Sequence, residues 1–293
     1  ALAQARLAPR DVARWGLGLN GVDFADEQPR QRAAIAAAMA VPEDRVSLVN
    51  DGIVALWGAT PARAAAIVQH GSGITAAWRS DYGGEQLFDH LNAGSLFDLR
   101  SGLVALVARM IDGRAAATPL LETALRHWRL ADPACFAEAF FRGQIPPDLL
   151  RSTPPLVFRA WRAGDAAAAQ LVERAADEYA LTAAARAAKT GVDEATLAFG
   201  GGVIAQAPVE FWDLLAARLR ALRPRAALVR PALCPAVGAA LMAAHEAGAD
   251  TEALFAACME QASDPLVPAI SRAARAYLDV CYFHPFVDGN GRA

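Results

Sequence analysis

The chain has 293 residues, of which 71 are alanine, and its 28 basic side chains are 27 arginines and a single lysine. A net charge of −3, with both signs mixed along the chain, argues against a nucleic-acid-binding protein or a polybasic membrane surface. The 20% of charged residues and the aromatic residues exclude wholesale disorder, and no uninterrupted apolar run is long enough to predict a transmembrane helix.

In the first 80 residues, short β-like runs alternate with helical stretches. The pattern predicts strands at 15–19, 46–49, 66–69 and 74–78, and helices at 30–40 and 51–59. From 95 to 189 the chain is predicted to be nearly all helix, interrupted by prolines. Its last part, 165–189, is predicted to be one helix whose apolar stripe consists of Leu171, Val172, Ala175, Ala176, Tyr179 and Leu181.

The remainder divides into two parts. Strands are predicted at 196–199 and 227–230 and helices at 210–222 and 235–245, followed by two helices, 251–262 and 265–283, with no strand between them. Gly248-Ala249-Asp250 has the pattern of a helix stop followed by a new N-cap. We therefore predict two domains, at 1–248 and 249–293.

The four cysteines are scattered, without any C-x-x-C pair, at Cys135, Cys234, Cys258 and Cys281. This spacing favours reduced thiols over a disulfide framework or a zinc site. We expect a cytoplasmic protein with no nucleic-acid or membrane partner, and a homodimer is kept as a candidate assembly.

Three turns that follow predicted strands have the residue types needed for phosphate chemistry. Val49-Asn50-Asp51 brings a carboxylate to the start of a helix, and His70-Gly71-Ser72-Gly73 is a hairpin tip whose backbone N–H groups could approach phosphate oxygens. In Gly200-Gly201-Gly202, the missing side chains leave room for a flat group such as a purine. Each turn alone is also typical of an ordinary tight turn, and Asp51 alone could equally be a helix N-cap.

The order and spacing of these turns are more specific than any one of them. From roughly residue 10 to 247 the chain resembles the BadF/BadG/BcrA/BcrD ATPase family, part of the sugar-kinase branch of the actin-like ATPase superfamily, which includes N-acetylglucosamine kinases. The matching motifs are, in chain order, Gly16-Leu17-Gly18-Leu19-Asn20-Gly21-Val22-Asp23, Val49-Asn50-Asp51, Gly71-Ser72-Gly73, Gly83-Gly84, Ala93-Gly94-Ser95, Gly200-Gly201-Gly202-Val203 and Pro235-Ala236-Val237-Gly238.

The resemblance implies an α/β protein with the actin-like ATPase (ribonuclease H-like) fold, which uses ATP and Mg²⁺ to phosphorylate a sugar hydroxyl, here of an amino sugar. Asp51 would be the general base that takes the proton from that hydroxyl. The phosphates would be held by Gly71, Ser72 and Gly73, and the adenosine turn would be Gly200, Gly201 and Gly202. The implied sugar-side residues are Asn20, Asn92, Gly94 and Ser95.

The departures from the family pattern fall mainly on the sugar side. The family's D-E-G-S turn reads Asn92-Ala93-Gly94-Ser95, and its G-G-W-G reads Gly83-Gly84-Glu85-Gln86. The family's phosphate turn G-T-G-S ends here in Ile74, and its opening D-G-G-G-T hairpin would lie upstream of residue 1. We therefore expect a segment of a longer protein that lacks the first strands of the fold, with either a different substrate or lost catalysis.

The sharpest motif is the final one, His284-Pro285-Phe286-Val287-Asp288-Gly289-Asn290-Gly291-Arg292. A histidine at a loop entrance can act as a general base near neutral pH, and Asp288 can hold Mg²⁺. Backbone N–H groups of Gly289, Asn290 and Gly291 at a helix start suit a diphosphate, and Arg292 can pair with phosphate. The alternative is a polar surface loop with an isolated histidine.

This motif is similar to the H-P-F-x-D/E-G-N-G-R loop of Fic domains, which transfer AMP from ATP to a protein hydroxyl. The resemblance covers residues 250–293 and implies an all-α, partial Fic domain after the α/β domain. It assigns deprotonation of the target protein's hydroxyl to His284, Mg²⁺ binding to Asp288, and phosphate binding to residues 289–292.

Two hypotheses of different classes follow. The first is a sugar-kinase-like ATPase joined to a Fic-type AMP transferase, and the retained Asp51 favours it. The second is a non-catalytic nucleotide-binding module that regulates the Fic segment or presents substrate to it, which the changes at Glu85, Asn92 and Ala93 favour. A third alternative is that two neighbouring genes have been read as one.

Overall fold

The computed structural model describes residues 12–81, 84–87 and 97–263, with side chains up to residue 260. The strands are β1 (Trp15–Leu19), β2 (Val46–Asn50), β3 (Ala65–His70), β4 (Ile74–Arg79), β5 (Glu85–Leu87), β6 (Thr196–Gly200) and β7 (Ala227–Val229). The helices are α1 (Glu27–Met39), α2 (Asp51–Ala59), α3 (Leu99–Ile111), α4 (Pro119–His127), α5 (Phe136–Phe141), α6 (Pro147–Arg151), α7 (Pro154–Arg162), α8 (Ala166–Lys189), α9 (Gly201–Ala205), α10 (Val209–Leu222), α11 (Pro235–Glu246) and α12 (Thr251–Ser263). Short 3₁₀ turns cover Glu43–Arg45 and Pro133–Cys135.

The first sheet pairs β1 with β2 in parallel, so that Trp15 lies beside Val46 and Leu19 beside Asn50. A parallel pair needs a crossover, and α1 supplies it. Leu17, Val46 and Leu48 are buried under this helix. Both strands therefore end at the same edge, where Asn50 leads directly into α2.

The second sheet has the order β5-β4-β3-β6-β7. β3 pairs antiparallel with β4 and parallel with β6, and β6 pairs parallel with β7. Four successive β3 residues, Ala65 to Val68, are at most 1% exposed. An unbroken apolar run of this kind is typical of a strand that is covered on both faces. The carboxyl ends of β3 and β6 consequently lie side by side.

Most predicted elements are confirmed. β1 and α2 have the predicted bounds, and the β3–β4 hairpin, the long helix α8 and the strand β6 lie where the sequence placed them. The three-residue strand β5 was not predicted. Leu181 was wrongly assigned to the buried stripe of α8: it is 56% exposed, while the neighbouring Thr182 and Arg186 are buried. In an alanine-rich helix, several stripes satisfy the same periodicity.

The helices α2 and α11 approach each other unusually closely. A Cβ atom added to Gly238 would lie 2.0 Å from the carbonyl oxygen of Val54 and 2.5 Å from the nitrogen of Gly58. Only glycine permits this separation of the two backbones. Because α2 begins at Asp51, this contact with α11 helps to fix the position of that carboxylate.

The predicted helix stop and N-cap at 248–250 are confirmed locally. Gly248 has φ +85°, its N–H donates to His245, and the Asp250 carboxylate accepts from the Ala253 N–H. The following helix, α12, packs against α11, with Phe255 6% exposed beside Trp57 and Met242. The first helix after the predicted domain boundary thus shares a core with the preceding unit. The predicted helix at 265–283 lies outside the described residues.

Within the described part of the chain, no helix combines the length and apolar character needed to cross a bilayer.

Candidate active site

A cleft of about 220 Å³ opens where the two sheets meet, at the carboxyl ends of β2 and β3. It is lined by Asn20, Asp23, Asn50, Asp51, Gln69, Gly71, Ser72, Gly73, Ile74, Thr75, Leu87 and Gly201. The structure therefore brings together six of the residues proposed from the sequence, namely Asn20, Asp51, Gly71, Ser72, Gly73 and Gly201.

Asp51 is the first residue of α2, but it is not the N-cap. The cap is Asn50, whose Oδ1 accepts from the Gly52 N–H at 2.7 Å, while its Nδ2 donates to Asp23 Oδ1 at 2.8 Å. The alternative role of Asp51 as a helix N-cap is therefore wrong, because its neighbour Asn50 caps the helix. The Asp51 carboxylate stands at the positive end of the helix dipole and lines the cleft.

Replacing the cap should weaken the start of α2. We expect Asn50→Ala to lower the free energy of unfolding by about 1–2 kcal/mol, because the Gly52 N–H loses its acceptor and Asp23 loses a buried donor. Urea denaturation monitored by circular dichroism would measure this loss. Asp44→Asn, at an exposed position in a 3₁₀ turn, is a suitable control. An unchanged midpoint for Asn50→Ala would contradict the capping role.

The turn at 71–73 connects β3 to β4. The Gly71 N–H donates to the Gly73 carbonyl at 2.9 Å, which closes a tight hairpin tip. On the side away from the cleft, Arg100 donates to the Ser72 carbonyl at 2.8 Å and to the Gly71 carbonyl at 3.0 Å. Arg100 lies at the start of α3 and is 8% exposed. Nothing in the sequence linked this arginine to the turn.

A buried polar cluster lies behind the turn. His70 is 0% exposed; its Nδ1 contacts the Tyr179 hydroxyl, and its Nε2 lies 3.2 Å from Asp98 Oδ1 and 2.6 Å from Arg100 Nη2. Burial lowers the pKa of His70, and the hydrogen bond and charge of Asp98 only partly offset this. Burial raises the pKa of Asp98, but hydrogen bonds from His70 and the Arg100 backbone, with the charge of Arg100, outweigh it and lower that pKa to about 2.

These two pKa shifts predict that acid destabilises the fold. In the unfolded chain a histidine binds a proton below about pH 6.5, whereas the folded state keeps His70 neutral to a lower pH. The unfolded state then binds more protons, so the free energy of unfolding falls as the pH drops below about 6.5. Asp98 lowers the free energy of unfolding further as the pH falls from about 3.8, the carboxyl pKa in the unfolded chain, to about 2, its pKa in the folded state.

Urea titrations between about pH 7.5 and pH 5.5 would measure the first loss, in the range where a histidine titrates. In His70→Asn, the dependence of unfolding free energy on pH should become shallower in this interval. A variant with the same pH dependence as the wild type would contradict a buried neutral His70.

Close contacts of the chain explain why glycine occupies two of the three positions at 200–202, but they do not explain the third. A Cβ atom on Gly201 would lie 2.5 Å from the His70 carbonyl carbon, and φ of Gly201 is +81°. A Cβ atom on Gly200 would lie 2.8 Å from Pro231 Cγ, whereas one on Gly202 would meet nothing closer than 3.8 Å. The first two glycines thus allow close packing of the chain on itself, and Gly202 borders open space.

Several proposed residues lie outside the described residues. They are the sugar-side Asn92, Gly94 and Ser95 and the whole C-terminal motif, that is His284, Asp288, Gly289, Asn290, Gly291 and Arg292. The cleft also contains polar side chains that the sequence did not single out, namely Asp23, Asn50, Gln69 and Thr75. Asp23 and Asn50 lie within the sequence motifs quoted above, and those motifs were the signal by which the sequence could have identified them.

Cys135, Cys234 and Cys258 are free thiols. Across the described ranges, no group of three or more His, Cys, Asp or Glu side chains is arranged to hold a metal ion. A Mg²⁺ ion that arrives with ATP needs only one or two protein carboxylates besides phosphate and water oxygens. Among the residues that the structure describes, Asp23 and Asp51 are the carboxylates that line the cleft.

Comparison with known proteins gives a consistent result. The model of the BadF/BadG/BcrA/BcrD ATPase family matches residues 1–243, and that of the Fic/DOC family matches residues 225–293. No curated protein sequence matched the chain. The structure resembles a candidate N-acetylglucosamine kinase from Chromobacterium violaceum, with 28% identity, a TM-score of 0.58, and coverage of 83% of this chain and 80% of that one.

Two more distant structures share the fold. One is a ROK hexokinase from Thermus thermophilus, with 22% identity, a TM-score of 0.54, and coverage of 85% of this chain and 83% of that one. The other is a candidate N-acetylglucosamine kinase from Porphyromonas gingivalis, with 17% identity, a TM-score of 0.52, and coverage of 75% and 74%. The α/β architecture is thus that of actin-like ATPases and ROK kinases. With a family match over most of its length, the chain belongs to the BadF/BadG/BcrA/BcrD ATPase family.

Proposed function

We propose that this protein transfers the γ-phosphoryl group of ATP to a hydroxyl of an amino sugar, with N-acetylglucosamine as the first candidate. The observation that carries the proposal is that Asp51 and the turn at 71–73 share one cleft. A carboxylate that does not cap its helix can accept the proton of an attacking hydroxyl. Membership in an ATPase family and the similarity to a candidate N-acetylglucosamine kinase support this reaction.

The nucleotide would lie across the second sheet. Backbone N–H groups of the turn at 71–73 would hold phosphate oxygens, and residues 200–202, which follow β6, would border the adenosine. β3 and β6 pair in parallel with Gln69 opposite Gly200, so both segments reach the same edge of the sheet. Mg²⁺ bound to the ATP phosphates would neutralise charge during the transfer, within reach of Asp51 or Asp23.

The sugar would occupy the polar side of the cleft near the first sheet. Asn20, at the end of β1, and Asp23 and Asn50, which are hydrogen-bonded to each other, offer donors and acceptors suited to sugar hydroxyls. Asn92, Gly94 and Ser95 are proposed for the same substrate from the family resemblance. The loss of both carboxylates of the family's D-E-G-S turn makes a sugar other than N-acetylglucosamine a useful second substrate to test.

The direct test measures ADP release and sugar phosphate formation with ATP, Mg²⁺ and a panel of amino sugars and neutral hexoses. Turnover that depends on the sugar supports the proposal. ATP binding with no turnover on any sugar would instead support the non-catalytic nucleotide-binding module, for which the changes at Glu85, Asn92 and Ala93 are the motivating observation.

For the C-terminal segment we propose transfer of AMP from ATP to a hydroxyl of a target protein. The Fic/DOC match at 225–293 and the motif from His284 to Arg292 support it. His284 would take the proton of the target hydroxyl, Asp288 would bind Mg²⁺, and residues 289–292 would bind the phosphates. The domain division at 248/249 belongs to the same proposal.

Labelled ATP incubated with the protein and a cell lysate should give protein-bound AMP, and His284→Ala should abolish it. Labelling by His284→Ala at the wild-type level would refute this mechanism. Asp51→Asn is the matched control, because it should leave AMP transfer intact while strongly reducing sugar phosphorylation.

A further inference from the structure

We infer that Arg100 is a positioning residue for the phosphate-binding turn: it holds the turn's carbonyl groups so that its N–H groups face the nucleotide. The inference deepens the proposed kinase function and rests on it. Arg100 does not line the cleft; it lies behind the turn and reaches the nucleotide only through it.

The geometry follows from the planarity of the peptide bond. In a trans peptide, the C=O of one residue and the N–H of the next point in opposite directions. The Gly71 and Ser72 carbonyls both accept from Arg100, at 3.0 and 2.8 Å. The N–H groups of Ser72 and Gly73 are therefore directed away from Arg100. Since these residues line the cleft, that direction is where a phosphate would lie.

The guanidinium is itself held in place. Its Nε donates to Asp98 Oδ1 at 3.1 Å, and Asp98 Oδ1 also accepts from the Arg100 backbone N–H at 2.9 Å, as the N-cap of α3. Nη2 lies 2.6 Å from His70 Nε2. A planar fork anchored by Asp98 sets the direction of two carbonyls at once with a fixed geometry, which the freely rotating donors of an ammonium group lack.

Burial makes this arrangement effective. Arg100 is 8% exposed and His70 is 0% exposed, so the guanidinium is buried behind a turn whose Ser72 and Gly73 are exposed. A cation behind the turn also polarises the two peptide groups and strengthens their N–H groups as donors to an anion. Without the guanidinium the bond from the Gly71 N–H to the Gly73 carbonyl remains, but the glycines at 71 and 73 allow the Gly71 and Ser72 carbonyls more rotation.

The experiment compares ATP and adenosine binding by isothermal titration calorimetry. Arg100→Ala should weaken ATP affinity at least about 10-fold while adenosine affinity stays unchanged, because only the phosphates meet the turn. Arg100→Lys, which keeps the charge without the fork, should recover only part of the loss. Arg109→Ala, exposed on the same helix, is the matched control and should bind both ligands like the wild type.

The outcomes separate this inference from the proposed function. A wild-type protein that does not bind ATP would refute the proposed function itself. Wild-type binding of ATP together with unchanged ATP affinity in Arg100→Ala would overturn only the positioning role. Equal losses for ATP and adenosine, or full recovery by Arg100→Lys, would also overturn it, because they indicate general damage or a simple charge effect. If Arg100→Ala does not fold, Arg100→Lys against the wild type decides alone.

Discussion

Asp51→Asn should reduce sugar phosphorylation by a factor of about 10²–10⁴ in kcat, the range that general-base catalysis contributes. The amide keeps the size of the side chain but cannot accept the proton of the attacking hydroxyl. The N-cap of α2 should be unaffected, because it is Asn50 and not Asp51. ATP affinity should also persist, since the phosphates would be held by the turn at 71–73.

The measurement pairs steady-state turnover with ATP affinity and thermal midpoint for the wild type, Asp51→Asn and Asp44→Asn. Asp44 is an exposed aspartate in a 3₁₀ turn and serves as the matched control. A kcat for Asp51→Asn within about twofold of the wild-type value would exclude Asp51 as the base, because general-base catalysis contributes far more. Loss of turnover accompanied by unchanged ATP binding in a folded protein is the result that we expect.

Gly201→Ala should be the most destabilising single change near the cleft. Its Cβ atom would lie 2.5–2.6 Å from three backbone atoms of His70, and φ of +81° is unfavourable for alanine. Backbone strain and overpacking each cost about 1–3 kcal/mol, so we expect a loss of about 3 kcal/mol or more. The β3–β6 junction cannot move aside without disturbing the buried cluster around His70.

The adjacent Gly202→Ala provides a sharp comparison. An added Cβ there lies 3.8 Å from Gln206 Nε2, and the position is helical, where alanine is favoured over glycine by up to about 1 kcal/mol. Thermal unfolding should show a midpoint lowered by roughly 6–12 °C for Gly201→Ala and unchanged or slightly raised for Gly202→Ala. Equal midpoints would mean that the junction relaxes without cost.

Local structure was largely predictable because it depends on local signals. The strand β1 and the helix α2 have the bounds expected from apolar patterning and from a polar residue at the helix start. The wrong assignment of Leu181 to the buried stripe has a physical cause. Because α8 contains so many alanines, Leu181 fits an apolar stripe just as well as the residues that are actually buried do. The strand β5 is only three residues long and carries no pattern of its own.

The site was predictable only where a motif named its residues. Asp51, the turn at 71–73 and Asn20 came from ordered motifs, and they line one cleft. The link between Arg100 and the turn joins residues 28 and 29 positions apart, through backbone carbonyls that carry no side-chain signature. The need for glycine at position 201 arises from the pairing of β3 with β6. These two strands are separated by more than a hundred residues, so periodicity in the sequence cannot reveal their pairing.

The packing of α12 bears on how the two family matches are joined. The connection between α11 and α12, at 247–250, is held by hydrogen bonds. The N–H groups of Ala247, Gly248 and Ala249 all donate to carbonyls of α11, and Thr251 contacts His245. With Phe255 buried beside Trp57, α12, which is about 20 Å long at 1.5 Å per residue, packs against the ATPase unit. The Fic/DOC match begins at residue 225, so its first described helices, α11 and α12, lie in one core with α2. The helix that begins at Asp51 and the first helices of the Fic/DOC match are thus parts of one packed core, where the two family matches overlap.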